Sequence, residues 1–278
     1  MNPLIGIFAH PVAFAVSSSA EGTHGGAEEL ANLISLLTSY VFTAGPIHHF
    51  LHQWENMIWA YIFAGIIILF AQLAAKNPQM IPGRLQNLVE MIVESISDFI
   101  MGILGPRGRP FVPFLGSLFV YILLMNIGGI LPGGLSPTAN PNSTIALALC
   151  VFVYSHFVGL RDNGPIGYLK HLAGSPKSGV EWAFVPIMLP VHILGELARP
   201  VSLSLRLFGN ITGEDVLLYA FSALGVTALS FMHSPIGLPF QVPFILLAFL
   251  GSFIQALVFT LLSTIYILLW LPHEEGQH

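Results

Sequence analysis

Charged side chains are scarce in this sequence. Asp, Glu, Lys and Arg together make up 8% of 278 residues, against about 25% in soluble globular domains. Hydrophobic residues reach 54% and the mean hydropathy is +0.77, so the class is an integral membrane protein. A single cysteine, Cys150, excludes an internal disulfide framework and a cysteine-based metal site. Lysine and arginine number 9 and are dispersed, and the formal net charge is −5. Nucleic-acid binding therefore has no electrostatic footprint. Absent too are H-E-x-x-H, G-x-S-x-G and G-x-x-x-x-G-K-[ST]. Neither zinc-peptidase, serine-hydrolase nor nucleotide-phosphate chemistry is written into the chain. No cofactor and no metal are expected. The N-terminus has an apolar run at Val12–Val16 and small residues at Ser17–Ala20, but no basic segment ahead of them. It reads as a retained leader rather than a cleaved signal peptide.

What is present is a set of long apolar runs. About 20 residues of helix cross some 30 Å of hydrocarbon. Residues 57–75, 111–131, 144–160, 184–224 and 240–271 qualify as five spans. Between the first two, residues 81–104 place Leu85, Leu88, Ile92, Ile96, Phe99 and Ile100 at helical spacing, with Arg84, Glu90, Glu94 and Asp98 between them. This predicts an amphipathic helix, lying on the membrane surface, on a partner helix, or on the protein's own spans.

Lysine and arginine set the topology. Lys76, Arg84, Arg107 and Arg109 lie between spans one and two, and Arg161, Lys170 and Lys177 between spans three and four. The other connections, the N-terminal segment and the tail have none. By the positive-inside rule the two basic loops are cytoplasmic. Residues 1–55 then form an outward-facing segment, 56–272 a single membrane domain and 273–278 a cytoplasmic tail. His48, His49 and His52 have the donors for a metal ion, but they read first as part of a wet outer segment. Trp54, Trp59, Trp182 and Trp270 fall at span ends, where an aromatic belt would put them.

The expected fold is thus all-α: five membrane-crossing helices and one amphipathic surface helix, the last two crossings long and inclined. A helix over 184–224 is about 60 Å long and one over 240–271 nearly 50 Å, both beyond the hydrocarbon thickness. Such helices tilt, bend or break. Pro186, Pro190, Pro200 and Pro243 are placed to bend them.

The fourth run carries the main anomaly, Arg206, set between Leu205 and Leu207. A guanidinium keeps its charge at any accessible pH, and a charge at the centre of a membrane helix costs about 2.5–3.5 kcal/mol or more. At 100° per residue, Arg199, His192 and Asn210 fall within about 40° of Arg206, and Glu196 and Glu214 within about 80°. Asp215 falls on the opposite side. Glu196 and Arg199 are at ion-pairing distance along a helix and read as a structural pair. Arg206 has no acid at that spacing, so a carboxylate from another chain is its natural partner. On the last run, Ser252, Gln255, Ser263 and Tyr266 form a polar line broken by Phe259. Gln255 and the serines read first as interhelical glue.

These residues resemble a family. "GELARPVSLSLRLFGNITGED", residues 195–215, is closely similar to the signature of subunit a of the rotary F-type ATP synthase. "SPTANPNST" at 136–144 and "SFIQALVFTLLSTIYI" at 252–267 resemble the same family's loop and last helix. The likeness runs from about residue 50 onwards. It implies a multi-pass protein of a bacterial plasma membrane, beside a ring of c subunits that each carry a membrane carboxylate. Stalk subunits of the b type and the F1 sector would complete the assembly, with the nucleotide chemistry on partner subunits. Arg206 occupies the place of the family's essential arginine, which attracts the ring carboxylate and separates two aqueous half-channels. An arginine suits both tasks: it favours the ionised form of a nearby carboxylate, and it relays no proton itself. Asn210 and Gln255 match positions that orient the arginine. His192, Glu196, Glu214, Asp215 and Ser252 become candidates for lining the half-channels.

The pattern departs from the family in two places. Glu214 stands where many relatives have glycine, so either Glu214 or Asp215 can be the working acid. Ala248 stands where some relatives carry an ionisable group. Two other functions compete. A secondary transporter binding an anionic substrate at Arg206 would show internal repeats with interrupted helices, and the sequence shows no repeat. A membrane enzyme would need one of the clustered motifs found absent above.

Overall fold

A computed structural model of the protein describes residues 46–76, 83–131, 134–174, 179–229 and 239–271. Every regular element among them is helical, as expected where backbone groups in hydrocarbon must bond within their own segment. The order is α1 (Pro46–Ala75), α2 (Arg84–Leu104), a 3-10 turn (Gly105–Phe111), α3 (Val112–Ile130), a 3-10 turn (Pro137–Ala139), α4 (Pro141–Leu172), α5 (Gly179–Leu229) and α6 (Val242–Trp270). Five helical stretches are long and apolar enough to cross a membrane; the second joins α2 to α3. The leader at Val12–Val16, the side chains of His48, His49, His52 and Trp182, and the tail 273–278 lie outside the described residues.

Glycines decide two of the helix boundaries. Gly105 closes α2 at φ 66° and donates its N–H to Met101 O, a left-handed cap that favours glycine. Gly164, at φ 68° and followed by Pro165, breaks α4. The third span therefore runs on to Asn163, slightly beyond the expected end at 160, before the kink. By contrast α5 stays helical over 51 residues with Pro186, Pro190 and Pro200 inside it. That is about 77 Å of helix, longer than the sequence predicts.

The chain divides into two compact units. One takes the described chain up to Ile66, with Ile122–Asn140 and Gly209–Gln255. In it, the ring of Phe63 packs on Gly128, where a side chain would leave it no room, and Trp59 stacks on Phe63 at 5.8 Å. A buried polar network closes the start of the 136–144 loop. Thr138 Oγ1 donates to Asn126 Oδ1 at 2.7 Å, Ser136 Oγ donates to Met125 O at 3.2 Å, and Asn126 Nδ2 reaches Ser252 O at 3.5 Å. Phe221 and Phe244 stack at 3.8 Å.

The other unit takes Ile67–Tyr121, Pro141–Phe208 and the described chain from Ala256. Here the amphipathic helix α2 meets its partner. Ile100 and Leu104 are buried with Phe111, Leu115, Val158 and Ile267, and Ile96 and Phe99 pack against that cluster. The C-terminal half of α2 therefore packs on the protein's own spans. Leu85, Leu88, Met91, Ile92 and Val93, in the N-terminal half, are exposed.

Trp270 departs from expectation. It ends its span, but it is 1% exposed and is no interfacial anchor. Tyr168 stacks on it at 4.8 Å, His156 and His171 flank it, and Asn163 Nδ2 donates to its backbone carbonyl at 2.7 Å. Packing outweighs the interface here because Gly159 lets the indole press on the backbone of α4: a Cβ there would stand 2.6 Å from the ring. The polar line on α6 also differs from the expected glue. Ser263 Oγ donates to Phe259 O one turn back, as Thr260 and Thr264 do to Ala256 O and Thr260 O.

Two glycine variants test this packing. Gly159→Ala should lower stability by roughly 1–3 kcal/mol through overpacking against Trp270. Gly102→Ala, where no atom lies near the added methyl, should be neutral or slightly stabilising. Thermal unfolding in detergent checks both, and equal melting temperatures for the two variants would contradict the packing.

Candidate functional site

Helix α5 carries most of the sequence-predicted site residues, and its surroundings change along its length. Leu203, Ser204 and Leu207 are buried, which ties one face to the chain's own core. Ser204 Oγ bonds back to Val201 O at 3.0 Å. Across the helix, Val201 and Leu205 are exposed, Leu205 at 61%. Arg206 belongs to this uncovered side. It makes no hydrogen bond and no ion pair with any described residue. The charge that costs most in a membrane is thus presented outward from an apolar helix.

One turn further along α5, the two candidate acids part ways. Asn210 Nδ2 donates to Glu214 Oε1 at 2.8 Å. That bond is permitted by the i, i+4 spacing on a helix. The Glu214 carboxylate lies directly against Gly251 of α6, where a Cβ would collide with its oxygens. Glycine at 251 is what leaves room for a carboxylate at 214. Asp215 is half-buried. In the same unit, Ser252 and Gln255 are buried at 0% and 5% exposure. Ser252 Oγ, Gln255 Nε2 and Thr212 Oγ1 have no hydrogen-bond partner among the described residues. Buried polar atoms of this kind are normally satisfied by protein or water. Ala248 is buried at 2% exposure.

A second group forms in the other unit. Arg199 Nη1 donates to Glu196 Oε2 at 2.7 Å, and the Arg199 guanidinium lies over the Tyr266 ring at 5.4 Å, within cation–π range. Opposite them on α4, His156 Nε2 stands 4.0 Å from the same Glu196 oxygen. A small cavity lies among Ser155, Glu196, Arg199 and Tyr266. His192, earlier on α5, is exposed and lies near Gly174. Sequence reasoning had assigned Glu196 and Arg199 to one another but passed over His156. The signal was available: an ionisable side chain inside an apolar span is a functional candidate by default, and His156 lies within the third. A wider cleft is lined by Arg107, in the 3-10 turn after α2, and by Arg161 and Asp162, near the kink of α4. Among the described residues no group of three or more His, Cys, Asp or Glu side chains is placed to hold a metal ion.

The arrangement can hold and exchange protons, attract an anion to Arg206, and bind no nucleotide by any motif in the chain. Comparison with known proteins bears on which of these it does. The ATP synthase A chain family matches residues 56–268. ATP synthase subunit a of Protochlamydia amoebophila is 48% identical, over 90% of this chain and 91% of that one. The subunit a of Solidesulfovibrio magneticus is 39% identical over 80% and 86%, and that of Desulfosudis oleivorans 34% over 81% and 92%. The first of these matches reaches back into the first 50 residues, where the sequence alone shows no counterpart to the family pattern. With the family match spanning most of the chain, and five apolar helices long enough to cross a membrane, this protein belongs to the ATP synthase A chain family.

Proposed function

We propose that the chain is the proton-conducting stator subunit of a rotary ATP synthase, acting on the carboxylates of a c ring through Arg206. The observation that carries this reading is the exposed, unpartnered Arg206 in an otherwise apolar helix. A permanent cation on an uncovered membrane face calls for an anion from outside the chain. A ring carboxylate passing that face forms an ion pair with it and gives up its proton there. The next carboxylate replaces it as the ring turns. Because the guanidinium does not deprotonate, it blocks a direct proton leak past itself.

On this reading two aqueous half-channels serve the ring from opposite sides. Glu214, Asp215 and Ser252 serve one, and His192 and Glu196 the other. Asn210 and Gln255 support the arginine, and Asn210 also holds Glu214. The Glu196–Arg199 pair is structural, tying α5 to Tyr266 of α6. Exposed apolar residues such as Phe184, Ile187, Val191 and Leu194 on α5 suit contact with lipid or with the ring. Stalk subunits of the b type and the F1 sector complete the assembly, and nucleotide chemistry stays on the partners. The membrane domain at 56–272 sits in a bacterial inner membrane. By the positive-inside rule the segment 1–55 faces out and the tail 273–278 faces the cytoplasm.

In reconstituted complex, Arg206→Ala should reduce ATP-driven proton pumping to background while the chain still copurifies with the c ring. Pumping at the wild-type rate would sink the proposal. Glu214→Gln and Asp215→Asn separate the two acids. Glu214 is held by Asn210 and seated against Gly251, and its variant should lower flux by about tenfold or more. Wild-type flux in Glu214→Gln with a loss in Asp215→Asn would move the role to Asp215.

A further inference from the structure

The His156–Glu196–Arg199 group has a geometry that a purely structural ion pair does not require. Glu196 and Arg199 already satisfy one another at 2.7 Å. His156 adds a titratable ring from a different helix, aimed at the oxygen that Arg199 holds. Its tautomer follows from its other nitrogen. His156 Nδ1 lies 2.9 Å from Phe152 O, and a carbonyl only accepts, so Nδ1 carries the proton. Ser155 Oγ, 3.4 Å from the same nitrogen, faces that protonated side. Nε2 then has its lone pair free and faces Glu196 Oε2 at 4.0 Å. Neutral Nε2 and a carboxylate oxygen are both acceptors and cannot hydrogen-bond, and 4.0 Å is close enough for an ion pair once Nε2 is protonated.

The ring is held in place for this. Phe152 packs on it at 4.0 Å between centroids and Trp270 at 5.1 Å. Both His156 and Glu196 are mostly covered, with side chains 19% and 14% exposed. The charged and titratable groups facing the ring are few. Helix α5 supplies Glu196 and Arg199, the end of α4 supplies Tyr168 at 6.1 Å, and from α6 Tyr266 lies under Arg199.

We propose that His156 is a proton-carrying residue of the transport path, taking a proton on Nε2 and holding it against Glu196. This rests on the proton-conducting reading of the chain. The step is a simple exchange. Nε2 accepts a proton from a hydronium ion of the aqueous phase, the imidazolium pairs with the Glu196 carboxylate beside Arg199, and the same nitrogen then gives the proton to a second water, which carries it on. Nδ1–H stays on Phe152 O throughout. Arg199 keeps the carboxylate anionic and in position, and does not itself titrate.

The test uses the whole complex in liposomes, with proton flux measured from pH 5 to 9. His156→Gln keeps a polar group toward Glu196 but carries no exchangeable charge. Flux should fall about tenfold or more, and one titration step should vanish from the flux–pH profile. His156→Arg supplies a fixed charge to Glu196 and should not restore flux. Recovery to the wild-type rate by arginine would reduce His156 to a charge partner and overturn the proposal. Glu196→Gln approaches the pair from the other side and should also flatten the profile. The double variant should lose no more than either single one. A wild-type rate and profile in His156→Gln, or in Glu196→Gln if the histidine variant fails to copurify with the ring, overturns the inference. Arg206→Ala distinguishes the two levels. If it stops pumping while the His156 variants conduct normally, the stator reading stands and the role of His156 does not.

Discussion

A guanidinium cannot shed its charge, and a helix in hydrocarbon cannot hydrate it. Most of what is unusual in this protein is arranged around that constraint. Of the two arginines on α5, one is answered within the chain: Arg199 has a carboxylate at 2.7 Å and an aromatic face beneath it. Arg206, seven residues further on, has neither among the described residues. Two identical side chains on one helix therefore have opposite fates. The first ties α5 to α4 and α6, and the second has no such contact among the described residues.

The rest of the polar inventory follows the same logic of satisfaction. Hydroxyls on α6 bond to their own backbone and can be buried without a partner helix. Asn126, Ser136 and Thr138 close a network around the loop that follows α3. Among the described residues, Thr212 on α5 and Ser252 and Gln255 on α6, in the unit that holds Glu214, keep buried polar atoms without a hydrogen-bond partner. A membrane protein that leaves polar atoms without partners beside a carboxylate loses stability there, by about 1–3 kcal/mol for each group. On the proposed reading such a cost is offset by use, since atoms of this kind would hold water or transfer protons. His156 and Glu196 show a milder form of this arrangement, a pair held just beyond hydrogen-bond distance.

Glycine has a similar double role. At 105 and 164 it supplies left-handed turns that separate helices. At 159 and 251 it makes room, for an indole in one case and for a carboxylate in the other. The second pair is invisible to any turn rule, because both lie within regular helix and their reason is a side chain distant in sequence.

The sequence by itself determined the class, the five spans and the amphipathic helix, because hydrocarbon admits only long apolar helices and the periodicity of α2 is plain. It also determined that Arg206 lacks an acid at helical spacing and that Glu196 and Arg199 have one another, since contacts along one helix follow from 3.6 residues per turn. Tertiary structure alone decided the contacts between helices. Trp270 was legible as a span end, yet its burial depends on Gly159 more than a hundred residues away. Asn210 was legible as a neighbour of Arg206, yet its amide bonds Glu214, and only the approach of Gly251 shows why a carboxylate fits there. His156 was legible as an ionisable group in a span, but nothing in the linear chain joins it to Glu196. Periodicity predicts which side chains share a face of one helix; which faces meet is settled by packing, through shapes that single residues far apart in sequence create.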